Sequence, residues 1–270
     1  MASLPRGPTP LLTSSSRWVR GIVRGSIDLD PRSRTDDTLL PWSTNGSFGG
    51  ICGTHYYHDI PRRGNVPVVF VHGNSADARV WLPAMADFLE RGDTGEDCWA
   101  ITFRRASPSH ESMAAQLDAF VAKVREYTGY DRVHVVSHSL GVTGVRYWLA
   151  TYDRYDWIDT FVGLAGANHG SSRCGRFARY GLTIGPARTN KFLDPQRIDR
   201  DDHPLARLNE DETPGDVAYY TIRATRDRFF RENPRSPALD GATNEVVETD
   251  HVGLLTDEET LATMYGWLRH

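Results

Sequence analysis

The run Ser137-His138-Ser139-Leu140-Gly141 lies where an apolar stretch, Val133–Val136, meets a helical pattern at Leu140–Leu149. A serine on a sharp strand-to-helix turn presents its hydroxyl at the edge of a sheet, where it can attack a carbonyl carbon. The turn needs small residues two before and two after the nucleophile, because strand and helix backbones pass closely there. With Ser139 in that role the flanking residues are Ser137 and Gly141, both small; with Ser137 they would be Val135 and Ser139, and Val fits poorly. Ser139 is therefore the candidate nucleophile, with Ser137 a mild departure from the glycine of G-x-S-x-G.

A serine needs a base, and the base a carboxylate to orient it, in the chain order Ser, Asp or Glu, His. Asp227 lies just past an expected strand at Val217–Ile222, and His251 past another at Glu245–Glu248. Asp240 and Asp250 stand as rivals for the acid. The other histidines fit less well. His72 and His138 belong to the turns themselves, His169 follows a strand too early in the order, and His270 is terminal. His55 and His58 have an i, i+3 spacing that suits a metal, but no third ligand cluster accompanies them, so no metal and no cofactor is expected. An oxyanion also needs donors. The turn His72-Gly73-Asn74 follows the strand-like Pro67–Val71, which points to the backbone N–H groups of Asn74 and Leu140.

These residues require a scaffold that brings them to one edge. Strand-like runs at 67–71, 99–103, 133–136, 161–165, 217–222 and 245–248 alternate with helical patterns at 81–89, 112–127, 140–149 and 258–268. Such alternation predicts an α/β fold with a mostly parallel sheet and helices on both faces. The runs at 67–71, 133–136 and 161–165 are apolar apart from His134, as strands covered on both faces should be. Residues 1–47 read as a loose leading segment and 48–270 as the catalytic domain, with an insertion at about 170–215.

Composition narrows the classes. The chain has 270 residues, 39% of them hydrophobic and 24% charged, with a net charge of −4, which speaks against a nucleic-acid-binding surface. No apolar run approaches the roughly 18 residues of a membrane span. Residues 1–27 hold Arg6, Arg17, Arg20 and Arg24 without an acid, but Leu11-Leu12 is too short for the apolar core of a secretory signal. A cytoplasmic location is the default expectation. Nothing in the sequence sets an oligomeric state.

The segments PVVFVHGN at 67–74, EDCWAITF at 96–103, AFVAKVREYTGYDRVHVVSHSLGV at 119–142 and WIDTFVGLAGANHGSSRCG at 157–175 resemble the α/β-hydrolases. Within them they are similar to bacterial lipases and lipase-like polyhydroxybutyrate depolymerases. The resemblance implies the α/β-hydrolase fold with an insertion after the sixth strand, and ester hydrolysis through an acyl-enzyme. It implies Ser139 as nucleophile, Asp227 as acid, His251 as base, and Asn74 and Leu140 as oxyanion donors. It also leaves secretion open, and it suggests a bridge between Cys52 and Cys98, with Cys174 free. The expected substrate is a short to medium acyl ester. A polyester chain, or a non-catalytic binding role on the same fold, are the alternatives. The insertion is too charged for a lipid-facing lid: it holds 8 Lys/Arg and 7 Asp/Glu, with Phe177, Tyr180 and Phe192 its only aromatics.

Overall fold

In the computed structural model, residues 40–54, 64–180, 187–198 and 203–269 are described. Residues 1–39, His55, His58 and His270 lie outside them. Seven strands form one sheet in the order β1-β3-β2-β4-β5-β6-β7. They are β1 (Phe48–Cys52), β2 (Val68–Val71), β3 (Cys98–Phe103), β4 (Val133–His138), β5 (Ile158–Leu164), β6 (Ala218–Ala224) and β7 (Thr243–Val247). Only β1 runs antiparallel, against β3; every other pairing is parallel. The main helices are α1 (Leu82–Glu90), α2 (His110–Thr128), α3 (Leu140–Tyr152) and, at the C-terminus, α8 (Glu258–Arg269). Four short helices lie between β5 and β6: α4 (Ser172–Tyr180), α5 (Ala187–Phe192), α6 (Pro195–Ile198) and α7 (Pro204–Leu208). The insertion thus follows the fifth strand of the described sheet, because a single antiparallel strand precedes the parallel set.

β2, β3 and β4 are buried at every position, which requires cover on both faces. α2 packs with α3, and α1 with α8. The end of α8 is anchored by a buried bidentate pair: Arg269 donates to Asp93 from Nε at 2.9 Å and from Nη2 at 2.6 Å. Two edges of the helical pattern move outward for identifiable reasons. Ser109 caps α2 by accepting the Ser112 N–H at 3.3 Å, so the helix starts before the apolar stripe. Gly129 ends it with a left-handed φ of 73°. Residues 40–47 lie on the core rather than away from it: Leu40 is buried, and Trp42 stacks on Trp99 with ring centroids 5.1 Å apart.

The insertion sends its apolar side chains inward. Phe192, Leu193 and Leu205 join the core, and Phe192 stacks on the buried His110 at 3.6 Å. Leu182 and Ile184 lie outside the described residues, and of Phe177 and Tyr180 only the backbone is described.

The strand order reverses between β3-β2 and β4. In an open α/β sheet the crevice at the carboxyl ends beside such a switch point is where ligands bind. The turn after β2 carries His72-Gly73-Asn74 and the turn after β4 carries Ser139, and Val71 is registered against Ser137. Asp227 follows β6 and His251 follows β7, so all the candidate residues collect along one edge.

Candidate active site

Ser139 sits between the end of β4 and the first residue of α3 with φ 56° and ψ −121°. That region costs a non-glycine residue about 1–3 kcal/mol. Its N–H is held by the Leu164 carbonyl at 2.8 Å. The turn leaves no room on either side. A Cβ on Gly141 would lie 2.7 Å from the His72 carbonyl oxygen, and one on Gly73 would lie 2.9 Å from the Ser139 Cβ. Both glycines are needed, Gly141 because it meets the backbone of Val71 and His72 and Gly73 because it meets the Ser139 Cβ and the His138 carbonyl. Ser137, by contrast, is wholly buried in β4, and its Oγ faces the Val162 carbonyl at 3.4 Å.

His251 lies between the other two predicted residues. Its Nδ1–H donates to Asp227 Oδ2 at 2.6 Å, and its Nε2 accepts the Ser139 hydroxyl at 2.9 Å. The carboxylate therefore selects the tautomer that leaves Nε2 able to take a proton. Asp227 is buried, and its other oxygen accepts the Phe229 N–H at 2.8 Å. The rivals are elsewhere. Asp240 is exposed, with its N–H donated to Glu212. Asp250 spends its carboxylate on the turn after it, accepting the Gly253 N–H at 2.8 Å.

Asn74 and Leu140 follow the two closely packed turns. Neither backbone N–H has an acceptor among the described residues. The Leu140 N–H also opens α3, where the helix dipole favours negative charge. The His72 ring stiffens the first turn: Nδ1–H donates to the Gly73 carbonyl at 2.7 Å, and Nε2 accepts the Phe103 N–H at 3.3 Å. The next residue, Ser75, has its N–H tied to the Ala106 carbonyl at 2.7 Å.

Several contributors escape a reading of the sequence. The fully buried His138 donates from Nε2 to the His251 carbonyl at 2.8 Å, with the two rings 4.8 Å apart. Burial, helped by the neighbouring His251, pushes the His138 imidazole down to about 3, so it is neutral. Phe229 is partly exposed, with its ring 4.5 Å from that of His251 and the Arg173 guanidinium over the ring at 4.8 Å. The segment after β5 clamps the acid loop. Asn168 Nδ2 donates to the Pro237 carbonyl at 2.9 Å, Ser236 Oγ donates to the Gly170 carbonyl at 2.6 Å, and Ser171 Oγ donates to the Phe229 carbonyl at 3.0 Å. His138 and Phe229 lie beside Ser139 and Asp227 in sequence, and Asn168 to Arg173 fall in the segment 157–175 that carries the family resemblance, but neither signal specifies these contacts.

Cys52 and Cys98 are free, buried thiols, so the suggested bridge is absent from this structure. The register explains it. Cys52 pairs with Trp99, one position beyond Cys98, and successive residues of a strand point to opposite faces. The Cys52 thiol instead donates to the Gly95 carbonyl at 3.2 Å. Burial pushes it up to about 12, away from thiolate reactivity. Among the described residues no group of three or more His, Cys, Asp or Glu could hold a metal ion, and no helix is long and apolar enough to cross a membrane.

The family described as Lipase (class 2) matches residues 65–233, the stretch from the approach to β2 through the acid loop. The chain belongs to the class 2 lipase family. Membership makes it a carboxylic ester hydrolase, and the sheet is that of the α/β-hydrolases. Solved structures share the architecture at low identity. The mature lipase BlEst2 of Bacillus licheniformis is similar with a TM-score of 0.60 and 18% identity, over 78% of this chain and 94% of that one. Phospholipase PlaB from Legionella pneumophila matches with a TM-score of 0.57 and 17% identity, over 77% of this chain and 60% of its own. A malate-bound thermophilic esterase from Thermogutta terrifontis matches with a TM-score of 0.52 and 13% identity, over 76% and 90%.

Proposed function

We propose that this class 2 lipase hydrolyses short to medium acyl esters through an acyl-enzyme on Ser139. The observation that carries the reading is the unbroken relay from Ser139 Oγ through His251 to Asp227, at 2.9 and 2.6 Å. His251 Nε2 takes the hydroxyl proton as Oγ attacks the ester carbonyl. Asp227 stabilises the imidazolium that forms and keeps the ring oriented. The N–H groups of Asn74 and Leu140 receive the oxyanion, each contributing about 3 kcal/mol to the transition state. The imidazolium then gives its proton to the departing alcohol. Water repeats the sequence on the acyl-enzyme, releasing the acid and restoring Ser139.

The preference for shorter chains rests on the insertion. Phe192, Leu193 and Leu205 point into the core, so these side chains are not available to a lipid surface. A fluorophosphonate probe tests the chemistry. It should label Ser139 alone, and Ser139→Ala should lose both label and esterase activity while Ser137→Ala keeps both. Labelling at any other serine overturns the assignment. Rates on p-nitrophenyl esters from acetate to palmitate test the substrate. A maximum at palmitate, with a jump above its solubility limit, overturns the chain-length reading alone.

A further inference from the structure

The loop that carries Asp227 also lines a cavity of about 420 Å³, within the size range of small-molecule sites. Ser139 and His251 are not among its walls, though Asp227 is. Four arginines line it, Arg223, Arg226, Arg228 and Arg231, against one acid, Asp227. That acid is committed on both oxygens, to His251 Nδ1 at 2.6 Å and to the Phe229 N–H at 2.8 Å. Arg226 is shared with Glu248, Nη1 to Oε1 3.1 Å, at an exposed rim. Arg223, Arg228 and Arg231 have no carboxylate partner among the described residues. This concentration of positive charge runs against the chain as a whole, whose net charge is −4.

The cavity is built on a held segment. Pro234 and Pro237 belong to its wall and restrict the backbone there. The Pro237 carbonyl and the neighbouring Ser236 hydroxyl are bonded to Asn168 and Gly170. Guanidinium groups fork onto oxyanion oxygens through paired N–H donors. Three of them without partners suit a tetrahedral, multiply charged oxyanion better than a carboxylate, which one fork already satisfies.

We propose that this arginine-lined cavity binds a phosphate-type oxyanion, either free phosphate or the phosphate of an anionic lipid headgroup. Inorganic phosphate titrated calorimetrically into the full chain, at constant ionic strength, should bind saturably. Arg228→Ala/Arg231→Ala, both at exposed positions, should fold normally and weaken binding about tenfold or more. Lys123→Ala, on the exposed side of α2, serves as the charge control and should bind like wild type. Ser139→Ala should also bind like wild type, so the site stands or falls separately from the ester chemistry. Flotation with phosphatidylglycerol vesicles separates the sources. Recruitment that phosphate competes away and the double variant loses supports the headgroup. Phosphate binding without recruitment supports the free ion. Equal behaviour of wild type and the double variant in both arms, including no binding by either, overturns the proposal.

Discussion

His138 Nε2 lies 2.8 Å from the main-chain carbonyl of His251, so the residue just before Ser139 holds the backbone of the residue that faces Ser139. The bond joins the end of β4 to the turn after β7. It sets where the His251 ring can sit, and a displacement of even 1 Å at such a site can cost on the order of 100-fold in rate. His138→Leu should lower kcat by about 10- to 100-fold with little change in KM, while His138→Gln, which keeps an N–H donor, should recover much of the loss. Steady-state kinetics on a soluble ester decides, and an unchanged kcat in the Leu variant would remove the positioning role.

Asp227→Asn leaves the shape of the acid loop but takes away the charge that selects the His251 tautomer. Turnover should fall on the order of 10⁴-fold, by analogy with the serine-protease triad. Asp240→Asn should change little, since its side chain is exposed. Asp250→Asn should act on the local turn. Full activity in the Asp227 variant, with loss at either of the others, would reassign the acid.

Gly73→Ala tests the tight approach of the two turns. The added methyl would lie 2.9 Å from the Ser139 Cβ and 3.1 Å from the His138 carbonyl oxygen, so the Asn74 turn must shift away. Esterase activity should fall by about 100-fold, with a cooperative melt retained. A variant as active as wild type would show that the turn tolerates displacement.

His169 predicts a pH dependence of stability. Its two ring nitrogens face acceptors, Glu212 Oε1 at 2.7 Å from Nε2 and the Ser236 carbonyl at 3.3 Å from Nδ1. The hydrogen bond to Glu212 raises its pKa above the ordinary 6.5, against burial and the nearby Arg146. Glu212, bonded to His169 and to the Asp240 N–H, is held below its ordinary 4.5. A raised imidazole stabilises the fold below its unfolded pKa and stops doing so as pH rises through the folded one. His169→Gln should therefore lower Tm more at about pH 6 than at about pH 9. Thermal melts at both values check it; an equal loss at each would mean that the pair contributes no charge.

The class of fold and the candidates Ser139 and His251 were legible from local pattern, while Asp227 was separated from Asp240 and Asp250 only by the family resemblance. Short apolar runs such as Pro67–Val71, bounded by turn residues, fit strands covered on both faces, and small residues around Ser139 are dictated by the backbone contact that Gly141 makes with His72. The turn chemistry is local, so a short stretch of residues carries it. The rest depends on which strands become neighbours. β2 lies beside β4 and not only β3, which places Asn74 next to Ser139, although 65 positions of chain separate them. The pairing of Cys52 with Trp99 instead of Cys98 is a matter of register, and a shift of one residue turns a side chain to the other face. The His138–His251 bond and the clamp on the Asp227 loop from Asn168 to Ser171 are contacts between separate turns. Their geometry is set only when the sheet brings those turns together, and the tertiary structure alone decides it.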